Sequence, residues 1–305
     1  MDLSGVPVAE LGLSVGTTSV PMLVEGGSTV DAGTVLSFYG RAVQGNLYTT
    51  RQVYRLQQQA GPRLTVQEVA TAAVSATEYV HVERQAPNRL YSFSSPLADP
   101  WYAARIVRQG TSSPTTSFTV PVSELQAGSA EVSVSLYGGT DLPELDDHHA
   151  VLKVNGQEVA SAVFDGFAAR TLRATVDAAL LTASTTVEVA FGPTPYSVDV
   201  LHVEAVELRY PRRLQLLDGE LRITTPQVDQ LLRSGFETTD SCGSDCEAKE
   251  YVVAGLNAAL PVQVLRLGSA GEVALLGAVR DGDTVRFAAT GGAGGELLVT
   301  QRTLS

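Results

Sequence analysis

Side chains that alternate apolar and polar with a period of two can bury one face only as β-strands, and that alternation dominates this chain. Ala130-Glu131-Val132-Ser133-Val134-Ser135-Leu136-Tyr137 and Thr186-Val187-Glu188-Val189-Ala190-Phe191 both carry it. The run His149-Ala150-Val151-Leu152-Lys153-Val154 leads into Asn155-Gly156, after which Gln157-Glu158-Val159-Ala160 continues. Asn-Gly accepts positive φ at both turn positions, so it predicts a tight β-hairpin. Arg280-Asp281-Gly282-Asp283 predicts a second, between residues 273–279 and 284–289. With 28 Gly and 14 Pro punctuating the sequence, many short strands with tight connections are expected. The predicted fold class is all-β, in β-sandwich, jelly-roll-like units with few short helices.

Helical pattern is sparse. Thr225-Pro226-Gln227-Val228-Asp229-Gln230-Leu231-Leu232-Arg233 fits a helix capped by Thr224 or Thr225, with Pro226 at the first position and Gly235 at the stop. Residues 176–181 fit a single turn, and residues 66–77 suit helix and strand alike. Gly110-Thr111-Ser112-Ser113-Pro114-Thr115-Thr116-Ser117 reads as a polar linker after the aromatic stretch Pro100-Trp101-Tyr102. Tyr210-Pro211-Arg212-Arg213 closes a long strand that starts at Val198. Three units are therefore expected: an N-terminal β unit at 1–112, a β-sandwich at 113–211, and a small C-terminal β unit at 212–305. The last ends in a glycine-rich hairpin around Gly291-Gly292-Ala293-Gly294-Gly295.

Charge narrows the partners. Lys and Arg number 21 against 33 Asp and Glu, a net charge of −12, which argues against nucleic acid or an anionic membrane surface. No run of 18 apolar residues is present to span a bilayer. Met1 is followed by Asp2 with no basic and apolar leader pattern, so no signal peptide is read.

Catalytic patterns are thin. No Gly-x-Ser-x-Gly string exists for a serine nucleophile. The two cysteines lie in Ser241-Cys242-Gly243-Ser244-Asp245-Cys246. That acidic setting does little to lower a thiol pKa. The spacing favours a small disulfide loop between Cys242 and Cys246 over free thiols, a metal pair or catalysis, which implies an oxidising compartment. His81, His148, His149 and His202 are scattered, and adjacent His148 and His149 point to opposite faces of a strand. They read as surface or strand-packed imidazoles rather than a zinc set. Asp141, Glu144, Asp146 and Asp147 crowd one loop. Solvated, they need no ligand; gathered, they offer oxygens to Ca²⁺, the one cofactor the sequence suggests. Trp101 and Tyr102, with Tyr91 and Phe93 upstream, form either an aromatic platform for a sugar or peptide, or core or domain-interface packing.

Several strings, in this order, carry a family resemblance: Leu3-Ser4-Gly5-Val6-Pro7-Val8-Ala9-Glu10-Leu11-Gly12-Leu13, Val20-Pro21-Met22, Val35-Leu36-Ser37-Phe38-Tyr39-Gly40, Asn46-Leu47-Tyr48-Thr49-Thr50 and Val53-Tyr54-Arg55-Leu56. They continue with Asp99-Pro100-Trp101-Tyr102, His148-His149, Val154-Asn155-Gly156 and Val206-Glu207-Leu208-Arg209-Tyr210-Pro211-Arg212. With gaps over residues 2–289, the chain resembles the N-terminal region of gingipain-type cysteine peptidases, secreted bacterial proteins of which many use type IX export. The resemblance implies a β-rich prodomain-like region that assists folding and restrains a peptidase domain, and it implies that the sandwich at 113–211 is similar to carbohydrate-binding modules. The catalytic His and Cys would lie beyond residue 305, and Cys242 and Cys246 match no catalytic position.

The expectation is a non-catalytic, extracytoplasmic binding or accessory module, secreted or at the cell surface. Its partner would be a cognate cysteine peptidase domain. The alternative is an independent adhesin or carbohydrate-binding protein that engages a surface protein or glycan. An enzyme on a β scaffold is the third reading.

Overall fold

The computed structural model describes residues 3–41, 49, 51–68, 74–92, 100–143, 146–224, 248–268, 272–290 and 295–301. Its regular structure is strand, apart from 3₁₀ turns at Val8–Glu10 and Ala178–Leu180. The second is the single turn expected near residue 178, and the Asp177 side chain caps it by accepting from Ala179 N. The helix expected at 225–233, the cysteine loop and the turn at 291–294 lie outside the described residues. Within 66–77, Val66–Gln67 and Val74–Ala76 are strands.

The chain divides into two units, Thr77–Gln215 and a discontinuous one made of Met1–Ala76 with Leu216–Ser305. This grouping differs from the linear division 1–112, 113–211 and 212–305. In the discontinuous unit, Val66–Gln67 pairs in parallel with Val273–Leu276, and Val74–Ala76 with Ala248–Val253. These pairings place N-terminal strands in the five-stranded and four-stranded sheets built by the C-terminal segment. Two smaller sheets, Thr18–Val20 with Leu11–Val15 and Arg55–Gln58, and Met22–Glu25 with Val35–Phe38, complete the unit's N-terminal part. The second expected hairpin is here: Ala278–Asp281 pairs with Thr284–Thr290, and Gly282 supplies the positive φ of 60°.

The unit Thr77–Gln215 is a sandwich of nine labelled strands: β1 (Glu78–Gln85), β2 (Ala104–Gln109), β3 (Thr115–Pro121), β4 (Ser129–Gly138), β5 (His148–Val154), β6 (Gln157–Phe164), β7 (Ala169–Asp177), β8 (Ser184–Phe191) and β9 (Val198–Arg213). One sheet has the order β2-β9-β4-β7, and the other β3-β8-β5-β6. Walking along the chain from β2, strands swap sheets except at the β5–β6 hairpin, which is a jelly-roll arrangement. β1 is additional: it pairs with the second stretch of β9, while β2 pairs with the first.

The polar segment expected to be a linker at 110–117 is instead the crossover between the sheets. Gly110 turns with φ 63°, and β3 has already begun at Thr115. The period-two pattern works as expected. Val132, Val134, Leu136, Ala150, Leu152, Val154, Val187, Val189, Val206 and Leu208 are buried between the sheets. The β5–β6 turn sits on Asn155 (φ 47°) and Gly156 (φ 83°). Asn155 also ties this turn to its neighbours, its Nδ2 donating to Leu180 O (2.8 Å) and its Oδ1 accepting from Thr186 N (2.8 Å).

Candidate functional site

Apolar inward positions give way to charge at one end of the sandwich. β5 opens with His148, which takes the inner face and is fully buried, while His149 takes the outer face, where its Nδ1 lies 2.8 Å from Pro193 O. β9 brings Asp199 to the same layer, also fully buried. His148 Nδ1 donates to Asp199 Oδ1 at 2.6 Å. On the other side of the ring, Nε2 donates to Gly166 O at 3.1 Å and Thr140 O at 3.2 Å. Carboxylate and carbonyl oxygens only accept, so both ring nitrogens carry a proton and the ring is an imidazolium. Burial works against that charge. The hydrogen bond and charge of Asp199, with the two carbonyls, outweigh it and hold the His148 pKa above its ordinary value.

A second buried cation lies beside this pair. Arg108 is in cross-strand register with Asp199, donates from Nη2 to Gly192 O at 2.7 Å, and stacks 4.8 Å from the Phe191 ring centre. Asp147 is fully buried as well; its Oδ2 accepts from Leu142 N (2.9 Å) and Gly166 N (3.3 Å). The four charged side chains balance at two of each sign. His148 and Asp147 fasten the loops that join β4 to β5 and β6 to β7, and Arg108 holds Gly192 at the end of β8.

An aspartate–histidine pair serves nucleophilic catalysis only if the far ring nitrogen can take a proton from a nucleophile. Here that nitrogen is buried and already donates to two carbonyls. The arrangement is suited to holding loops in place.

Of the residues offered for calcium, Asp141, Asp146 and Asp147 are described, and Glu144 lies outside the described residues. Asp147 caps backbone amides, and Asp146 N donates to Asp165 Oδ1 at 3.1 Å. Among the described residues, no group of three or more His, Cys, Asp or Glu is placed to hold a metal. Cys242 and Cys246 also lie outside the described residues.

Trp101 and Tyr102 part company. They form one strand of a short ribbon with Leu90–Tyr91, and neighbours on a strand face opposite ways. Trp101 remains 36% exposed and meets Tyr91, 50% exposed, edge-on at 5.3 Å. Tyr102 is buried against His202 (4.7 Å) and Tyr137 (6.1 Å). Burial, then the Arg105 charge, lowers the His202 pKa against a backbone hydrogen bond at Tyr137. Of the aromatic residues grouped in the sequence, Tyr91 is the one that meets Trp101, and Phe93 lies outside the described residues.

Fold and site together define the class: an all-β protein whose sandwich unit has an internally balanced charged end. No protein-family model matches the chain, and no curated protein does. Among solved structures, the crystal structure of dimeric latent PorU from Porphyromonas gingivalis is similar, with a TM-score of 0.62 and 15% identity. The match covers 96% of this chain and 29% of that one, so the chain spans under a third of the PorU length. At this identity the likeness is one of fold. Among the described residues, no helix is long and apolar enough to cross a membrane.

Proposed function

We propose that the chain is a non-catalytic extracellular accessory module, similar to the prodomain-like region of a gingipain-type cysteine peptidase. The observation that carries this reading is the breadth of the structural likeness. It runs over 96% of the chain, and the matched structure is that of dimeric latent PorU. The ordered sequence strings that resemble gingipain-type cysteine peptidases support it independently. So does the rigid end of the sandwich, where the buried charges hold loops of the kind that present binding residues on a scaffold. The partner is a cysteine peptidase domain, and the location is outside the cytoplasm. Isothermal titration of the full chain into a gingipain-type catalytic domain encoded by the same genome tests the reading. Saturable binding is expected. No heat of binding and no co-elution on size exclusion would contradict it.

The exposed Tyr91–Trp101 pair favours a second reading, a surface adhesin or carbohydrate-binding protein. Two tilted rings offer apolar faces to a sugar ring. A glycan array separates the two: signal that vanishes in Trp101→Ala supports the second.

A further inference from the structure

β1 is fastened to the sandwich by an unusual device. Its side chains in register with buried Val206, Leu208 and Tyr210 are Gln85, Glu83 and His81, and Tyr79 lies opposite Arg212. An edge strand would ordinarily seal the core with apolar residues on this face. Here polar contacts do the sealing. Gln85 Nε2 donates to Thr119 O on β3 at 2.8 Å. Arg212, almost fully buried, donates from Nη1 to Tyr79 Oη at 3.0 Å. Tyr79 Oη lies 3.1 Å from His81 Nδ1, and the His81 ring packs edge-on against Tyr210 at 5.3 Å.

The relay has a direction. Arg212 can only donate, so the Tyr79 oxygen accepts and its hydroxyl proton is free to donate to His81 Nδ1. In that arrangement His81 is neutral, with its proton on Nε2. A second proton, on Nδ1, would turn the Tyr79 hydroxyl proton away and place a second cation in a half-buried site beside the Arg212 guanidinium.

The groups that face His81 can be named from each element. β1 contributes Tyr79 and Glu83, with Glu83 Oε2 3.6 Å from Nε2. β9 contributes Tyr210 and Arg212. From the segment after β3, the backbone N–H of Ser123 donates to Tyr210 Oη at 3.2 Å. The facing contact on β3 is the Thr119 carbonyl, which does not titrate. Glu83 favours the protonated ring. Burial, followed by the Arg212 charge, opposes it more strongly and pushes the His81 pKa down to about 4.

We propose that β1 is an acid-released strand: protonation of His81 reverses its hydrogen bond with Tyr79 and sets a second cation beside Arg212, and Glu78–Gln85 detaches while the remaining jelly roll stays folded. The consequence for the molecule is a conformational response to acid built into one edge of the sandwich.

Hydrogen exchange of the full chain at pH 7 and pH 4, corrected for intrinsic rates, tests this. With His81 near 4 when β1 is docked and near 6.5 when it is free, linkage raises the opening constant by about a hundredfold between the two pH values. That rise is expected at the amides of residues 79–85 that bond to β9, and not at Val132, Val134 or Leu152. His81→Gln, which keeps an acceptor but does not titrate, should flatten it to less than tenfold. Tyr79→Phe removes the middle of the relay, so its β1 amides should open readily at pH 7 already and respond less than tenfold to acid. An equal rise throughout the sandwich, or a hundredfold rise retained in either variant, would overturn the proposal.

Discussion

Replacing Asp199 with Asn changes almost no volume and removes one charge from a fully buried pair. In the parent, His148 donates to Asp199 at 2.6 Å and to two carbonyls from its other nitrogen. Without the carboxylate, the ring must either stay charged with no counter-ion or give up a proton and turn a bare nitrogen toward an acceptor. Breaking a buried pair in this way costs roughly 3–5 kcal/mol; the low end, about 3 kcal/mol, applies because the amide retains some hydrogen bonding. The only tryptophan, Trp101, belongs to the sandwich unit, so its fluorescence reports that unit's unfolding in urea. With a slope of about 2 kcal/mol per M, the midpoint at pH 6 should fall by about 1.5 M. The pH dependence has a definite sign. A histidine whose folded pKa is raised contributes stability that is fully present below about 6.5 and is lost as pH rises through the folded value. The gap between parent and Asp199→Asn should therefore be full at pH 6 and shrink in alkali. A midpoint shift below about 0.3 M, or a gap that widens with pH, would refute the ion-pair assignment.

Three further outcomes are expected. At Gly156 an added Cβ meets no neighbouring atom, so the cost of Gly156→Val comes from the positive φ, about 1–2 kcal/mol, seen as a lower thermal midpoint for the sandwich unit. Gly138→Ala drives a methyl into Gly166 O and His148 Nε2, so it should destabilise by about 1–3 kcal/mol and shift the His148 ring resonances in NMR spectra. Thiol titration of the unfolded, unreduced chain should find no reactive sulfur if Cys242 and Cys246 are bonded; two thiols per chain would remove the disulfide and its argument for an oxidising compartment.

Local rules made part of the structure legible in the sequence. Period two revealed the inner faces of β4 and β8, and Asn155-Gly156 revealed the β5–β6 turn, because both depend on residues close in the chain. Division into units was not legible. Gly110 to Ser117 has a linker's composition, yet it crosses between sheets, and composition does not distinguish the two roles. Pairing of Val66–Gln67 with Val273–Leu276 joins segments with no local signal of each other. β1 was hidden because polar Tyr79, His81 and Glu83 occupy its core-facing side, while the alternating Val80 and Val82 take the other side, where Val80 is exposed. For the candidate site, opposite orientations of His148 and His149 followed from strand geometry alone. Asp199, 51 residues away, could not be assigned to His148 without the sheet register. Trp101 and Tyr102 illustrate a signal that was present: adjacent strand residues cannot share a face, so a platform of those two was excluded by the strand itself.

The reading of the chain as an accessory module without chemistry of its own is tested most directly by one turnover measurement. Arg- and Lys-containing peptide reporters are incubated with the purified chain alone, with a gingipain-type catalytic domain encoded by the same genome, and with both, in the presence of reducing agent and calcium. The expected result is no turnover by the chain alone and a progressive slowing of the catalytic domain as the chain is added. Turnover that co-purifies with the chain and survives replacement of both Cys242 and Cys246, or an undiminished peptidase rate at saturating chain, would contradict it.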